Sequence, residues 1–435
     1  MQGAAGWPRT VGMAMTIRAW QAVSLVAVAG VVLSLWELPA GSRLGLGGMS
    51  LAAGVGALGL MASAALLGSR WRWVEAGFGG LDRVYEAHKW MGIWALALAS
   101  LHFLFKAGHE AWQVAPILEL PGFWTRLLRQ LSYVALGLIV LLALNRHIPY
   151  STWRWWHKLS GPLFLVVVLH WLSFKSPIRL ESATGVWLAA WSVLGVAGAL
   201  YKLLLYRLVA PHAEYEVVTI DPGNGAAHLR LAPVGRPVAF APGQFGFLRM
   251  HQQGLREPHP FTIASGSGGD GRVDFVVRAL GDYTTRLVTQ VRPGMRADVF
   301  APYGRFQRHP DAPREVWIGG GVGISPFIAW LRDEAAGHFD KVTLFYFHTP
   351  GREFPSMPVL QAMAGARGAE LVGVPGGPDD PAFHDRFAAI CRDAGAAAVD
   401  VAFCGPAGLL EHVRGAMQAN GVPAGHLRHE LFEFR

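Results

Sequence analysis

The first 206 residues alternate long apolar runs with short polar loops, and the rest of the chain does not. A bilayer crossing needs about 20 apolar residues. Six stretches have that length: about 17–36, 47–68, 84–105, 127–145, 154–174 and 183–206. Arg9 and Arg18 precede the first, as in a signal peptide, but the run is long for one and no small-residue cleavage site follows it. It reads as a retained span. From about residue 213 the runs shorten to period-2 alternation broken by Gly and Pro, in EYEVVTI, HLRLAP, GQFGFLRM, DFVVRAL and ADVFAPYG. That is the pattern of a small antiparallel barrel. From about 315, the apolar strands VWIGGG, VTLFYFH, AELVGV and DVAFCGP are separated by helix-compatible stretches, as in a parallel α/β sheet. The expected architecture is a multidomain membrane protein: a six-helix transmembrane bundle over 1–206, an antiparallel β-barrel domain over 207–312 and an α/β domain over 313–435.

Composition agrees with a chain divided in this way. With 52% hydrophobic residues, 17 Trp and 16% charged residues, the average is poor in charge for a soluble protein, and the first half accounts for it. The net charge of +8 raises the question of nucleic acid. However, the basic residues of the first half sit between apolar runs, where bilayer orientation explains them, so no nucleic-acid partner is expected. An inside N-terminus leaves Arg70, Arg72, Arg83, Arg146, Arg154, Lys158, Lys202 and Arg207 cytoplasmic, against Arg43, Lys106, Arg126, Arg129, Lys175 and Arg179 on the other side. The bias has the sign of the positive-inside rule. It gives a multi-pass protein of the cell (inner) membrane with its second half in the cytoplasm. The two cysteines, Cys391 and Cys404, make neither a disulfide framework nor a cysteine metal site.

Ionisable side chains inside spans are expensive and mark function. The third span carries His88 and His102, the fifth His157 and His170. Neutral imidazole is an axial ligand for haem iron. Separations of 14 and 13 residues put two ligand levels roughly 20 Å apart on each helix, so the pairs are expected to hold two stacked b-type haems. Fourteen residues return to within about 40° of the starting face, whereas thirteen miss by about 140°. The fifth span must therefore depart from an ideal helix, and Pro162 supplies a reason. The competing reading is interhelical hydrogen bonding, and the matching of two pairs in depth weighs against it. Lys106 follows His102 by one helical turn, which would place a cation near the outer level, either for an anionic acceptor or merely snorkelling at the boundary.

In the second half, His259-Pro260-Phe261-Thr262 follows the strand entry Pro242-Gly243-Gln244-Phe245. An apolar or aromatic face beside a hydroxyl suits the ring of FAD. Arg278 leads into Gly281, Thr284 and Thr285, whose backbone amides at a helix start would bind a pyrophosphate with the Arg. Gly319, Gly320, Gly321 and Gly323, then Ser325 and Pro326, follow a strand and open a helix, the position where glycines admit a dinucleotide in a Rossmann-like NAD(P) domain. Cys404, Gly405 and Pro406 end a later strand, where sheet ligands gather. Arg352, in the loop after VTLFYFH, could pair with the 2′-phosphate of NADPH, which is expected in preference to NADH.

With both halves in view, residues 17–435 resemble the transmembrane NADPH oxidase and ferric reductase superfamily, through the paired His88/His102 and His157/His170, HPFT at 259–262, GGGVGISPF at 319–327 and CGP at 404–406. The resemblance implies FAD in a ferredoxin-reductase-like module and two b haems in the central spans. It pairs His88 with His157 at the inner haem and His102 with His170 at the outer one. It places Thr262 near the flavin N5, Cys404 near the nicotinamide, and a terminal aromatic, Phe432 in preference to Phe434, over the flavin. The implied function is NAD(P)H-dependent reduction of oxygen (to superoxide) or of ferric complexes across the membrane. The alternative is an electron-donor module serving an extracytoplasmic protein partner. A hydrocarbon core of roughly 30 Å is too wide for one electron hop, and two stacked haems divide it.

Overall fold

The computed structural model describes residues 17–145, 147–148 and 150–430. The chain divides after Val209 into two compact units. The first is helical: α1 (Ala19–Glu37), α2 (Leu46–Leu67), α3 (Arg72–Phe78), α4 (Leu81–Leu104), α5 (Gly122–Leu144), α6 (Tyr150–His157), α7 (Ser160–Ser173) and α8 (Ala183–Leu200), which runs through a π-helical turn, Tyr201–Leu205, into α9 (Tyr206–Val209). Helix α2 is built largely from Gly, Ala and Ser, so neighbouring backbones can approach it closely. It is the most buried of the long helices and packs against α1, α4 and α8.

Among the described residues four helices are long and apolar enough to cross a membrane: Ala19–Glu37, Leu46–Leu67, Gly122–Leu144 and Ala183–Val209. The two other expected spans fall short of that measure for a chemical reason. Helix α4 has 24 residues, but His88, Lys89 and His102 lower its hydropathy. The expected span 154–174 is not one helix: α6 and α7 are separated by a turn at Lys158–Leu159, and α7 alone has 14 residues. Pro162 lies in the first turn of α7, where its missing N–H costs no helical bond. The departure from ideality between His157 and His170 is therefore a break just before the proline.

The second unit begins with a six-stranded antiparallel sheet in the order β4-β3-β6-β1-β2-β5, formed by β1 (His212–Gly223), β2 (Ala226–Pro233), β3 (Phe245–Met250), β4 (His259–Thr262), β5 (Val273–Arg278) and β6 (Arg296–Tyr303). Helix α10 (Asp282–Gln290) crosses between β5 and β6, and its Tyr283 and Leu287 close the core around Tyr215, Leu229 and Phe275. Next come β7 (Arg314–Gly320), α11 (Ser325–Arg332), β8 (Val342–Phe347), α12 (Met357–Gly365), β9 (Glu370–Val374), α13 (Pro381–Ala394), β10 (Val399–Cys404), α14 (Ala407–Ala419) and β11 (Leu427–Glu430). These strands form a parallel sheet in the order β11-β10-β7-β8-β9. Trp317, Leu344 and Tyr346 face α11 and α12, while Val316, Ile318, Phe345 and Phe347 face α13 and α14. Burial on both faces is why these strands read as unbroken apolar runs.

Candidate functional site

The four histidines of the helical unit meet in two pairs. The ring centroids of His88 and His157 are 5.8 Å apart, and those of His102 and His170 are 6.4 Å apart. The α4 members are oriented from behind by α2. The Ala64 carbonyl accepts a hydrogen bond from His88 Nδ1 at 2.8 Å, and the Ser50 carbonyl accepts one from His102 Nδ1 at 2.9 Å. A carbonyl only accepts, so both Nδ1 atoms carry the proton and both Nε2 atoms keep a lone pair. That tautomer, held by a backbone oxygen, is the usual support of a metal-bound imidazole. The Nδ1 atoms of His157 and His170 are buried and make no hydrogen bond among the described residues. A metal between each pair needs a bond of about 2 Å on either side, which with two ring half-widths comes to about the centroid separations observed. The arrangement fits two bis-imidazole haems.

The seat of His102 depends on a residue without a side chain. A Cβ at Gly54 would stand 2.8 Å from His102 Nδ1, closer than atoms tolerate. Gly54→Ala is therefore expected to displace the outer imidazole while sparing the inner pair. The check is a redox titration of the haem absorbance, in which one of two components should move or vanish and the other stay. Lys106 does not occupy the position its spacing implies. Helix α4 ends at Leu104 and Phe105 is extended, so Lys106 lies beyond the helix, exposed, and not one turn above His102 on the same face.

In the second unit, β4 carries the HPFT segment and pairs with β3, with Thr262 opposite Phe245. The Thr262 hydroxyl is buried and makes no hydrogen bond among the described residues. Such an orphan is costly unless a ligand completes it. Pro260 and Phe261 are half-buried, leaving a partly open face beside it. The His259 ring stacks on Tyr283 at 3.5 Å between centroids, a contact that ties β4 to α10 and that sequence reasoning did not anticipate. At the end of β5, Arg278 Nη2 donates to the Arg352 carbonyl at 2.6 Å, and its Nε is buried without a partner among the described residues. The Thr284 hydroxyl accepts from the amides of Leu280 and Gly281, each at 3.0 Å, and Thr285 N–H donates to the Gly281 carbonyl. Arg278 and the start of α10 thus come together, with two of the loop amides already occupied by Thr284.

The glycine-rich turn after β7 has mainly internal reasons. A Cβ at Gly323 would meet the Cys404 carbonyl oxygen at 2.1 Å, one at Gly320 would meet Pro406 Cδ at 2.9 Å, and one at Gly319 would meet Ile324 Cα at 3.1 Å. Gly320 and Gly323 let the turn dock against the end of β10, and Gly319 lets it fold back on its own Ile324. Gly321 has a φ of +57° and open space around it, so it alone presents bare backbone outward. Ser325 donates its hydroxyl to the Val322 carbonyl at 2.7 Å, and Pro326 begins α11 with it. Cys404, Gly405 and Pro406 lie beside this turn, Cys404 level with Gly319 on one side and Glu430 on the other. Burial, and then the Glu430 carboxylate, push the Cys404 thiol well above its ordinary pKa, so it stays a neutral S–H. Arg352 is exposed, next to Glu353, whose carboxylate accepts from Gly351 N–H at 3.0 Å and lies 3.0 Å from His348 Nδ1. Hydrogen bonds from its own backbone amide and that of Gly351 hold the Glu353 carboxyl below the usual range. Phe432 and Phe434 lie outside the described residues.

Residues 53–168 match the family described as ferric reductase like transmembrane component. That span holds His88, His102 and His157 and stops just short of His170. Residues 222–320 match the family described as FAD-binding domain. The chain is 30% identical over 237 residues to the ferredoxin–NAD(+) reductase component of the alkene monooxygenase system of Xanthobacter autotrophicus, covering 51% of this chain and 71% of that protein. It is 26% identical over 306 residues to dual oxidase 2 of Sus scrofa (58% of this chain, 18% of that one). Against ferric/cupric reductase transmembrane component 7 of Saccharomyces cerevisiae it is 22% identical over 267 residues (58% and 41%). The chain thus spans less than half the length of the last two relatives. The second half also aligns with phthalate dioxygenase reductase at 18% identity and a TM-score of 0.43, covering 51% of this chain and 68% of that one. With a ferric-reductase-like membrane part in its first half and a ferredoxin-reductase-like FAD-binding module in its second, the chain belongs to the transmembrane NADPH oxidase and ferric reductase superfamily and is an oxidoreductase.

Proposed function

We propose that this protein moves electrons from cytoplasmic NAD(P)H through FAD and two b-type haems to an acceptor on the far face of the bilayer, either oxygen, giving superoxide, or ferric complexes. In this reading 1–206 crosses the inner cell membrane six times, with the α4 and α6–α7 segments as the two ligand-bearing spans. Residues 207–312 hold FAD, and 313–435 hold the nucleotide in Rossmann-like fashion. The observation that carries it is the pair of facing imidazoles at two depths, with both α4 histidines held in the ligating tautomer by α2 carbonyls. When bound, the flavin would take up one hydride, two electrons together, and the haems single electrons, so a two-electron donor can feed one-electron acceptors.

The chain's own contributions are binding and orientation. His88 and His157 hold the inner iron, and His102 and His170 the outer. The Thr262 hydroxyl supplies a hydrogen-bond partner at the flavin edge, with Pro260 and Phe261 as the apolar face and His259 bracing β4 on Tyr283. Arg278 and the free amides at the start of α10 meet the pyrophosphate. Gly321 and the N-terminus of α11 would meet the nicotinamide nucleotide, beside the end of β10 where Cys404 lies buried. A neutral thiol there adds no charge to repel a hydride.

NADPH is taken as the donor in preference to NADH because Arg352 is free to swing onto a 2′-phosphate while its carbonyl stays on Arg278. Arg352→Ala should raise KM for NADPH about tenfold, a loss of about 1.4 kcal/mol, with much less change for NADH. Equal losses for both nucleotides would remove the role, and the Glu353 carboxylate beside Arg352 is the reason to run both.

Two assays on the purified protein with NADPH, superoxide production and ferric-chelate reduction, test the reading. Turnover of either acceptor that tracks haem reduction supports it. The reductase components among the relatives support a second reading, an electron donor to an extracytoplasmic partner protein. Rapid haem reduction with neither acceptor consumed would favour that one.

A further inference from the structure

We propose that Arg332 is a positioning residue for hydride transfer: through Asp274 and the Ala264 carbonyl it sets the nucleotide turn against the strand that presents Thr262. The inference rests on the flavin and nucleotide assignments above and adds a residue that touches neither cofactor in that reading. Arg332 is the last residue of α11, the helix that opens on the glycine-rich turn. Eight residues at 1.5 Å rise make a rod of about 12 Å. Phe327, Ile328, Ala329, Trp330 and Leu331 are all buried, so the rod is gripped along its length. What fixes its last residue therefore also fixes where its first turn stands.

Arg332 Nη1 donates to Asp274 Oδ2 at 2.6 Å and to the Ala264 carbonyl at 3.3 Å. Asp274 lies on β5 and is buried. A buried carboxylate needs partners, and the same Oδ2 has a second one, His228 Nε2 on β2, at 3.1 Å. The backbone carbonyl of Asp274 accepts from Ala264 N–H at 2.8 Å. The N–H and the C=O of Ala264 thus end on one ion pair, Asp274 and Arg332. Ala264 is two residues from Thr262, and Ile263 between them donates its N–H to the Gln244 carbonyl at 3.0 Å. The backbone from Thr262 to the Arg332 contact is tied at each step.

Holding the barrel and the parallel sheet together does not require this contact. Trp330 Nε1 donates to the Pro242 carbonyl at 3.1 Å, and Ser267 Oγ donates to Asp333 Oδ1 at 2.7 Å. A Cβ at Gly266 would meet the Arg332 carbonyl oxygen at 2.5 Å, so backbone also packs closely on backbone there. What Arg332 adds is aim. Its contact lands on the residue that ends the flavin segment, whereas the Ser267 bond lands on a surface loop. Donor and acceptor in a hydride transfer tolerate little error, since a misplacement of about 1 Å can cost about a hundredfold in rate.

The test compares full-length, FAD-loaded wild-type protein with Arg332→Gln, Arg332→Lys and Asp274→Asn. Stopped-flow reduction of the flavin at saturating NADPH, with oxygen excluded, should slow about tenfold in Arg332→Gln, as a misplacement of less than about 1 Å would cause. Two readouts do not depend on turnover. NADP+ affinity, by calorimetry, should be unchanged, while the difference spectrum that NADP+ induces in the flavin absorbance should shrink. Arg332→Lys keeps the cation and should recover most of both the rate and the spectrum. Asp274→Asn keeps the shape of the carboxyl group and should shift both in the same direction as Arg332→Gln, which serves if that variant fails to hold FAD. Unchanged rate and spectrum in a variant that retains FAD would overturn the positioning role. So would weakened NADP+ affinity with a full limiting rate, or loss of FAD from both variants. Wild-type protein whose FAD is not reduced by NADPH would instead sink the functional reading on which the proposal rests.

Discussion

Replacing His88 or His157 by alanine is expected to leave one haem per chain instead of two and to abolish electron flow across the membrane, while reduction of the flavin by nucleotide survives. The expectation follows from the separation of the two sites along the chain. The flavin segments begin after Val209, in the other compact unit, and no imidazole pair contributes to them. Within the helical unit the two pairs are independent of each other. His88 is held by Ala64 and His102 by Ser50, so losing the inner ligand leaves the outer support in place. Pyridine-haemochrome quantitation gives the stoichiometry and stopped-flow absorbance gives the flavin step. Two haems retained in either mutant would contradict the ligand assignment. Loss of flavin reduction together with the haem would contradict the independence of the halves.

The second large effect is expected in the nucleotide half, from Gly323→Ala. The added methyl group would meet backbone on both sides of the Cys404 carbonyl, at 2.1 Å from its oxygen and 2.6 Å from its carbon. Backbone cannot rotate away as a side chain can, so the turn and the end of β10 must separate. Overpacking of this kind costs about 1–3 kcal/mol or more. The strain falls where the nucleotide is proposed to bind, so hydride transfer from NADPH to FAD should slow by at least about tenfold, since 1.36 kcal/mol is one factor of ten. Dithionite-reduced haem spectra should be unchanged. Gly321→Ala, with open space around its Cβ but a φ of +57°, should be milder. Equal effects at the two positions would mean that bare backbone, not packing, is what the turn requires.

The parts of this protein that the sequence makes legible are those in which local pattern and chemistry coincide. Four histidines at matched spacing stand out because lipid penalises them, and that polarity is also why α4 falls below the apolar measure of a span. The β-strand runs at 215–220, 245–250 and 342–347 read directly from alternation or continuous apolarity. Other features depend on tertiary neighbours and leave no local mark. The turn at Lys158–Leu159 was sensed only as a phase mismatch with a proline nearby, and its form as a clean break came from the structure. Lys106 was misplaced because helical spacing was continued past Leu104, where the helix stops. Gly54 and Ser50 are ordinary small residues of an apolar helix until His102 is seen against them. Thr284 reads in the sequence as one of the backbone amides at a helix start, and the pattern does not reveal that its hydroxyl accepts from the amides of Leu280 and Gly281. The glycines at 319, 320 and 323 read as clearance for a dinucleotide, and the close approaches of Ile324, Pro406 and the Cys404 carbonyl give them a packing reason that only the fold reveals.

The central claim is vectorial: electrons enter on the nucleotide side and leave on the other. It is tested most directly in sealed vesicles that carry the protein with its nucleotide half outward and a membrane-impermeant ferric chelate trapped inside, with NADPH added only outside. The account predicts reduction of the trapped chelate at a rate matched to NADPH oxidation, one nucleotide for two ferric ions, and its loss in His102→Ala or His170→Ala vesicles. With oxygen excluded, oxidation of NADPH with the trapped chelate left ferric, or reduction that persists without the histidines, would contradict it.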